Sequence, residues 1–133
     1  DILLTELFIP VTVGDAVAIG SDRLAADRRS LIAHVQASQP SHMQATPSTW
    51  KSLLGAGWSG NPRLTLLAAG EKLERGLVES LLVEERTLWN LYGPTEATVY
   101  ATGCRVESSP GQPISIGKPL ANCRIYLLDT ALQ

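Results

Sequence analysis

The stretch Asn90-Leu91-Tyr92-Gly93-Pro94-Thr95-Glu96 decides how this chain reads. It follows an apolar, strand-like run, Thr87-Leu88-Trp89. Gly93-Pro94 marks a turn. That turn puts Thr95 and Glu96 just past the carboxyl end of a strand, where open α/β sheets bind ligands. A hydroxyl there can donate to a phosphate oxygen. A carboxylate can hold a hard cation such as Mg²⁺ alongside phosphate oxygens of a substrate. Tyr92 offers a flat face to a base. The same residues also suit an ordinary strand-turn-helix, with Thr95 as N-cap and Glu96 near the helix dipole.

Working outward, the pattern alternates helices and strands. Residues 1–9 are apolar at helical spacing. Gly14-Asp15 turns into a short apolar strand over Ala16 to Ile19. Ala25 to Ala37 carries Leu31, Ile32 and Val35 on one helical face, and Pro40 lies beyond its end. Ser41 to Ala45 is a strand. Thr46-Pro47 reads as N-cap and first-turn proline of a helix to about Leu54. Gly55 to Pro62 is glycine-rich enough to be mobile and reads as a surface connection. Leu64 to Ala68 is a buried strand. Gly70 turns into a helix with Leu73, Leu77 and Leu81 at spacing four; Gly76 weakens it by about 1 kcal/mol relative to Ala. Thr87 to Tyr92, Ala97 to Val106 and Arg124 to Leu128 are further strands, with a Ser/Pro/Gly loop over Ser108 to Pro113. This alternation predicts an α/β fold with a mostly parallel sheet and helices on both faces.

Bulk properties narrow the function. The 133 residues suit one domain with a core of useful size. The net charge of −2 and scattered Lys and Arg leave no basic footprint, so nucleic acid is not an expected partner. No run approaches the roughly 20 apolar residues that span a bilayer, so no membrane is expected. No secretory signal is seen. Cys104 and Cys123 form no pattern and read as free thiols in a reducing cytoplasm. His34 and His42 read as structural, and no catalytic triad is indicated.

The seven-residue stretch resembles the signature of adenylate-forming enzymes, specifically the amino-acid adenylation domains of nonribosomal peptide synthetases. Acyl-CoA ligases and luciferases of that superfamily usually lack the proline. Three further blocks agree in order. Gly117-Lys118-Pro119-Leu120-Ala121-Asn122 with Ile125-Tyr126-Leu127-Leu128-Asp129 resembles Gly-x-Pro-x-x-Asn-x-x-x-Tyr-x-Leu-Asp. Ala69-Gly70-Glu71-Lys72-Leu73 is similar to the family's Gly-Gly-Glu-Ala-Leu turn. Asp1-Ile2-Leu3-Leu4-Thr5-Glu6-Leu7-Phe8 resembles Phe-Asp-x-Ser-x-x-Glu-Leu-Phe, without its Phe and with Leu3 where Ser is usual. The blocks span essentially the whole chain.

The resemblance implies a flavodoxin-like subdomain: a single unit over residues 1–133, the central piece of a large N-terminal domain. The family's glycine-rich phosphate loop, its Tyr-x-Thr-Gly-Asp motif and its C-terminal domain with the catalytic lysine are not in the sequence, so the isolated piece is expected to be inactive. The implied reaction is attack of an amino-acid carboxylate on the α-phosphate of ATP. Aminoacyl adenylate and pyrophosphate form, and the acyl group passes to a phosphopantetheine thiol on a carrier domain. Such chemistry needs charge neutralisation and in-line positioning more than a protein nucleophile.

Residue by residue, the resemblance has Tyr92 stack on adenine, with Gly70, Glu71, Asn90 and Gly93 bordering it. It has Thr95 contact the α-phosphate and Glu96 help bind Mg²⁺. Asn122 falls in a structural block. Asp1 pairs with the substrate ammonium, a selective receptor because a buried carboxylate is costly without a cation. The side-chain pocket maps onto Asp1, Ile2, Thr5, Gln44, Leu67, Ala69, Leu91, Val99 and Tyr100. It carries no second charge and suits a small neutral amino acid. The set resembles glycine-selecting pockets, but Thr5 stands where leucine is usual and Ala69 where glycine is, so alanine stays open. Alternatives are a fragment of an acyl- or aryl-CoA ligase, against which Asp1 and Pro94 speak, and a flavodoxin-like binding module without chemistry.

Overall fold

The computed structural model describes residues 2–21, 24, 27–83, 86–107 and 111–131, with side chains left aside at residues 2 and 3. Four helices are described: α1 (Ile2–Thr12), α2 (Arg28–Ser38), α3 (Pro47–Gly55) and α4 (Arg75–Leu81). The strands are β1 (His42–Ala45), β2 (Thr65–Ala68), β3 (Leu88–Tyr92), β4 (Thr102–Arg105) and β5 (Lys118–Pro119). They form one sheet in the order β1-β2-β3-β4-β5. The first three are parallel, β4 returns antiparallel to β3, and β5 pairs antiparallel with β4. This is the expected α/β class, its parallel part built as β1-α3-β2-α4-β3.

Local chemistry explains the crossover helices. The Thr46 hydroxyl accepts from the Thr49 amide at 3.2 Å, and Pro47 takes a first-turn position where a missing N–H costs nothing. Asp27 caps α2 by accepting from the Arg29 and Ser30 amides. Alternate residues of a strand face opposite sides. Leu66, Ala68 and Leu88 therefore share one face, where they bury against Trp50 and Leu53 of α3, Val78 and Leu81 of α4, and Leu73. The opposite face carries Gln44, Leu67, Trp89 and Leu91, paired across the strands as Gln44 with Leu67 and Leu67 with Trp89. Helix α1 reaches that second face through Thr5, which hydrogen-bonds the Tyr100 side chain.

Several expectations are corrected. Residues 16–19 form no strand. The strand expected over 97–106 is confined to Thr102–Arg105, because residues 95–100 are consumed by tight turns. Residues 124–128 form no strand either, and Leu127 is 96% exposed; the last strand is Lys118–Pro119. Proline fits that edge position, where no ladder donor is required. Helix α1 continues past Ile9 with Pro10 inside it. Helix α4 begins at Arg75, so Leu73 is buried ahead of the helix. The Gly55 to Pro62 loop is pinned. Trp58 is buried and packs on Trp50 with ring centroids 5.4 Å apart, the Arg86 guanidinium lies 5.5 Å from the Trp58 ring, and Arg86 donates to the Ser59 carbonyl. Residues 25–26, expected to be helical, and 108–110, expected to be a loop, lie outside the described residues. Among the described residues no helix is long and apolar enough to cross a membrane.

Candidate active site

The carboxyl ends of β2 and β3 open into a cleft of about 680 Å³, within the range of about 300–1,000 Å³ common for small-molecule sites. Gly70, Glu71, Lys72, Leu73, Glu74 and Arg75 form one wall. Asn90, Leu91, Tyr92 and Gly93, with Pro113, Ile114 and Ile116, form the other. Five residues expected beside a nucleotide, Gly70, Glu71, Asn90, Tyr92 and Gly93, are thus brought together. Tyr92 is 47% exposed and leaves ring surface free for stacking. Asn90 is buried, and its amide nitrogen donates to the Ser115 carbonyl at 2.8 Å. The Thr102 hydroxyl donates to the Ile116 carbonyl at 2.6 Å. These two bonds hold the 114–116 segment against the sheet and shape the cleft floor.

Glu71 has a structural partner as well as a cleft position. Its carboxylate accepts from the Ser48 hydroxyl at 2.6 Å and the Ser48 amide at 3.0 Å, at the start of α3. These bonds hold its pKa below the ordinary 4.5. The unfolded chain then takes up that proton more readily than the folded one. The contribution is fully present above 4.5 and is lost as pH falls through the folded value. Urea midpoints of wild type and Glu71→Gln should therefore differ at neutral pH and converge in acid. A gap that stays constant with pH would show that the carboxylate charge is not what matters.

Thr95 and Glu96 lie just beyond the cleft on an exposed 3₁₀ turn, Thr95–Ala97. The helix-cap alternative does not hold: Pro94 is the cap residue and no side chain caps the turn. Among the described residues no group of three or more His, Cys, Asp or Glu gathers for a metal. Glu96 is exposed on this turn, apart from Glu71 and Glu74 on the cleft wall. That suits Mg²⁺, which is commonly bound through one or two carboxylates plus substrate phosphates. The exposed ring, the open cleft with Lys72 and Arg75 beside Glu71 and Glu74 on its wall, and the Glu96 carboxylate just beyond it are chemically suited to a magnesium nucleotide.

Gly93 makes the return of the chain possible. A Cβ there would collide with the Val99 carbonyl oxygen and lie 2.6 Å from the Tyr100 Cα. Both obstacles are backbone and cannot swing aside. Gly93→Ala should cost about 3 kcal/mol, the upper end of ordinary overpacking. Urea denaturation of the purified chain measures this, and an unchanged midpoint would contradict the packing described.

Tyr100 is thereby delivered to the other face of the sheet. Its hydroxyl donates to Gln44 Oε1 at 2.6 Å and also bonds Thr5. Burial is the main cause of its raised pKa, with nearby Glu6 adding to it, so the phenol stays protonated. Burial also raises the Glu6 carboxyl. The amide nitrogen of Gln44 is buried with no hydrogen-bond partner among the described residues. Three expected pocket residues, Thr5, Gln44 and Tyr100, are therefore joined directly. Leu67 shares their sheet face through its register with Gln44. Leu91 is half-buried, with its Cδ2 2.8 Å from where a Cβ on Gly103 would stand. Ala69 is buried and its amide donates to the Ala45 carbonyl at 3.4 Å. Val99 is half-buried in the returning loop. Asp1 and the Ile2 side chain lie outside the described residues.

The sequence did not point to Lys72 and Arg75 as cleft residues, although Lys72 sits in a recognised block. Nor did it point to Ser115, whose backbone carbonyl, not its side-chain type, is what Asn90 uses. Asn122 holds φ 65° in a turn closed by the Cys123 amide on the Leu120 carbonyl at 3.0 Å, a structural role that asparagine tolerates well.

Comparison with known proteins agrees with this geometry. The family described as AMP-binding enzyme matches residues 2–133. The chain belongs to the AMP-binding enzyme family. It is 38% identical over 134 residues to the PKS-NRPS hybrid synthetase acdB of Aspergillus candidus, covering 100% of this chain and 5% of that protein. It is 32% identical over 133 residues to a dimodular nonribosomal peptide synthase of Bacillus subtilis, covering 100% of this chain and 6% of that protein. A holo four-domain nonribosomal peptide synthetase solved with AMP and glycine superposes with a TM-score of 0.92 at 41% identity, covering 100% of this chain and 10% of that one. The chain thus spans a small share of each relative, and its likeness is to the adenylation domain of a nonribosomal peptide synthetase.

Proposed function

We propose that this chain is the substrate-selecting, nucleotide-facing part of an adenylation domain that converts an amino acid and ATP to aminoacyl-AMP and pyrophosphate. It is the central piece of the large N-terminal domain; the phosphate loop belongs to the remainder of that domain and the catalytic lysine to the small C-terminal domain. The acyl group then goes to a phosphopantetheine thiol on a peptidyl carrier domain. Tyr92 stacks on the base, beside Gly70, Glu71, Asn90 and Gly93. Thr95 donates to the α-phosphate, and Glu96 holds the cation. Mg²⁺, when bound, supplies neutralisation of charge at the reacting phosphates. Asp1 receives the substrate ammonium.

The observation that carries the substrate reading is Tyr100 lying across the sheet face, bonded to both Gln44 and Thr5. With Leu67, Ala69, Leu91 and Val99 it would form a small apolar wall without a further charge, so glycine or alanine is favoured. The neighbour solved with AMP and glycine supports this reading. A charged side chain would be buried without a partner, and a large ring would overlap Tyr100.

Pyrophosphate exchange by the intact parent enzyme, run over a panel of amino acids, tests the reading. Glycine or alanine should lead, and Tyr100→Ala should shift preference toward larger aliphatic substrates. Each added methylene should discriminate by about 1–3 kcal/mol, as apolar pockets do. A panel led by an aromatic or charged amino acid would overturn the pocket assignment.

A further inference from the structure

Thr98 holds φ 75° and ψ −69°, and the Val99 amide donates to the Ala97 carbonyl at 3.0 Å. This is a γ-turn of the positive-φ kind, which is rare and strained. A β-branched residue is poorly suited to it. The Thr98 side chain is exposed, so its own packing does not account for the conformation. Strain of this kind persists where the surroundings over-determine it, and it clusters at ligand clamps and switch regions.

The surroundings do over-determine it. On one side, the Ala97 amide donates to the Pro94 carbonyl at 2.9 Å and the Thr98 amide to the Thr95 carbonyl at 3.1 Å, closing the turn that carries Thr95 and Glu96. On the other, the Ala101 amide donates to the Tyr92 carbonyl at 2.8 Å, the Val99–Tyr100 backbone lies against Gly93, and Tyr100 bonds Gln44 at 2.6 Å. The connection from Glu96 to Tyr100 has little slack. A displacement at one end must be taken up by Thr98 or passed to the other end.

We propose that Thr98 is a positioning residue that couples the phosphate-facing arm, Thr95 and Glu96, to the amino-acid-facing Tyr100, so that filling either subsite tightens the other. The proposal rests on the adenylation reading above. It adds that the two subsites communicate through one strained backbone turn.

Calorimetric titration of the intact parent enzyme tests it. The titrant is the amino acid ranked first by pyrophosphate exchange, with and without a non-hydrolysable ATP analogue and Mg²⁺. In wild type the analogue should raise amino-acid affinity at least about 5-fold, the lower end of usual coupling. Thr98→Gly takes up positive φ without strain and adds slack. It should bring that ratio to within about 2-fold of unity, with circular dichroism unchanged. Thr98→Ala keeps the strain of an L-residue and should retain the ratio. A ratio unchanged in Thr98→Gly, lost equally in Thr98→Ala, or absent in wild type overturns the proposal. If wild type exchanges pyrophosphate and the ratio survives Thr98→Gly, only the coupling fails. If wild type exchanges with no amino acid, the adenylation reading fails with it.

Discussion

Glu96→Gln in the intact parent enzyme should lower amino-acid-dependent pyrophosphate exchange on the order of 100-fold, the scale on which one preorganised electrostatic contact to a reacting group acts. Glu96 is exposed on a three-residue turn that no side chain caps. The substitution removes a charge and nearly conserves shape, so folding should be untouched. The loss should fall on turnover and should not be recovered by raising Mg²⁺. Near-normal exchange at saturating Mg²⁺ would reduce Glu96 to a surface carboxylate.

Asp1→Ala should be comparably damaging, but selectively so. On the role proposed for Asp1, the substrate ammonium loses its counter-charge at a penalty of roughly 3–5 kcal/mol, by analogy with a broken buried ion pair. Amino-acid activation should collapse while nucleotide binding is kept. Thr5, four positions further along, already bonds Tyr100, which ties the start of α1 to the pocket wall. The diagnostic comparison is an amino acid against its deamino analogue. Equal loss for both would show that Asp1 does not read the amine.

The parallel half of the fold was legible because its signals are local. Thr46-Pro47 announces α3 by cap chemistry, and the apolar runs of β2 and β3 alternate with helical spacing. The same period-2 alternation sorts the site. Asn90 and Tyr92 fall on the side covered by α3 and α4, with the cleft, and Gln44 and Leu67 fall on the other side with Tyr100; Leu91 shares that second face by register but also borders the cleft at the strand end. The sequence misled where pairing is non-local. Residues 16–19 and 124–128 are as apolar as a strand, but among the described residues no strand pairs with them. The stretch 97–106 has strand composition, but its first half is spent on turning back over Gly93. That constraint is set by the Val99 carbonyl and becomes visible only when the two backbones are brought together. The positive φ of Thr98 was equally hidden, since threonine is among the residues least expected there.

Within the site, residues acting through side-chain chemistry were readable, and residues acting through backbone were not. Tyr92 and Glu96 stand out by type and by the block around them, whereas the block around Gln44 is only weakly patterned. The Ser115 and Ile116 carbonyls, which fix the cleft floor through Asn90 and Thr102, carry no such mark. Glu71 combines both kinds of role, since it lines the cleft and anchors the start of α3 through Ser48.

The central claim, adenylation of a small neutral amino acid, is met most directly by mass spectrometry of the product. The intact parent enzyme is incubated with ATP, Mg²⁺ and an equimolar mixture of amino acids and their deamino analogues, and the enzyme-bound nucleotide is released and weighed. An aminoacyl-AMP is expected, with glycyl- or alanyl-AMP the most abundant. Adenylates of the deamino acids alone, or none at all, would contradict it.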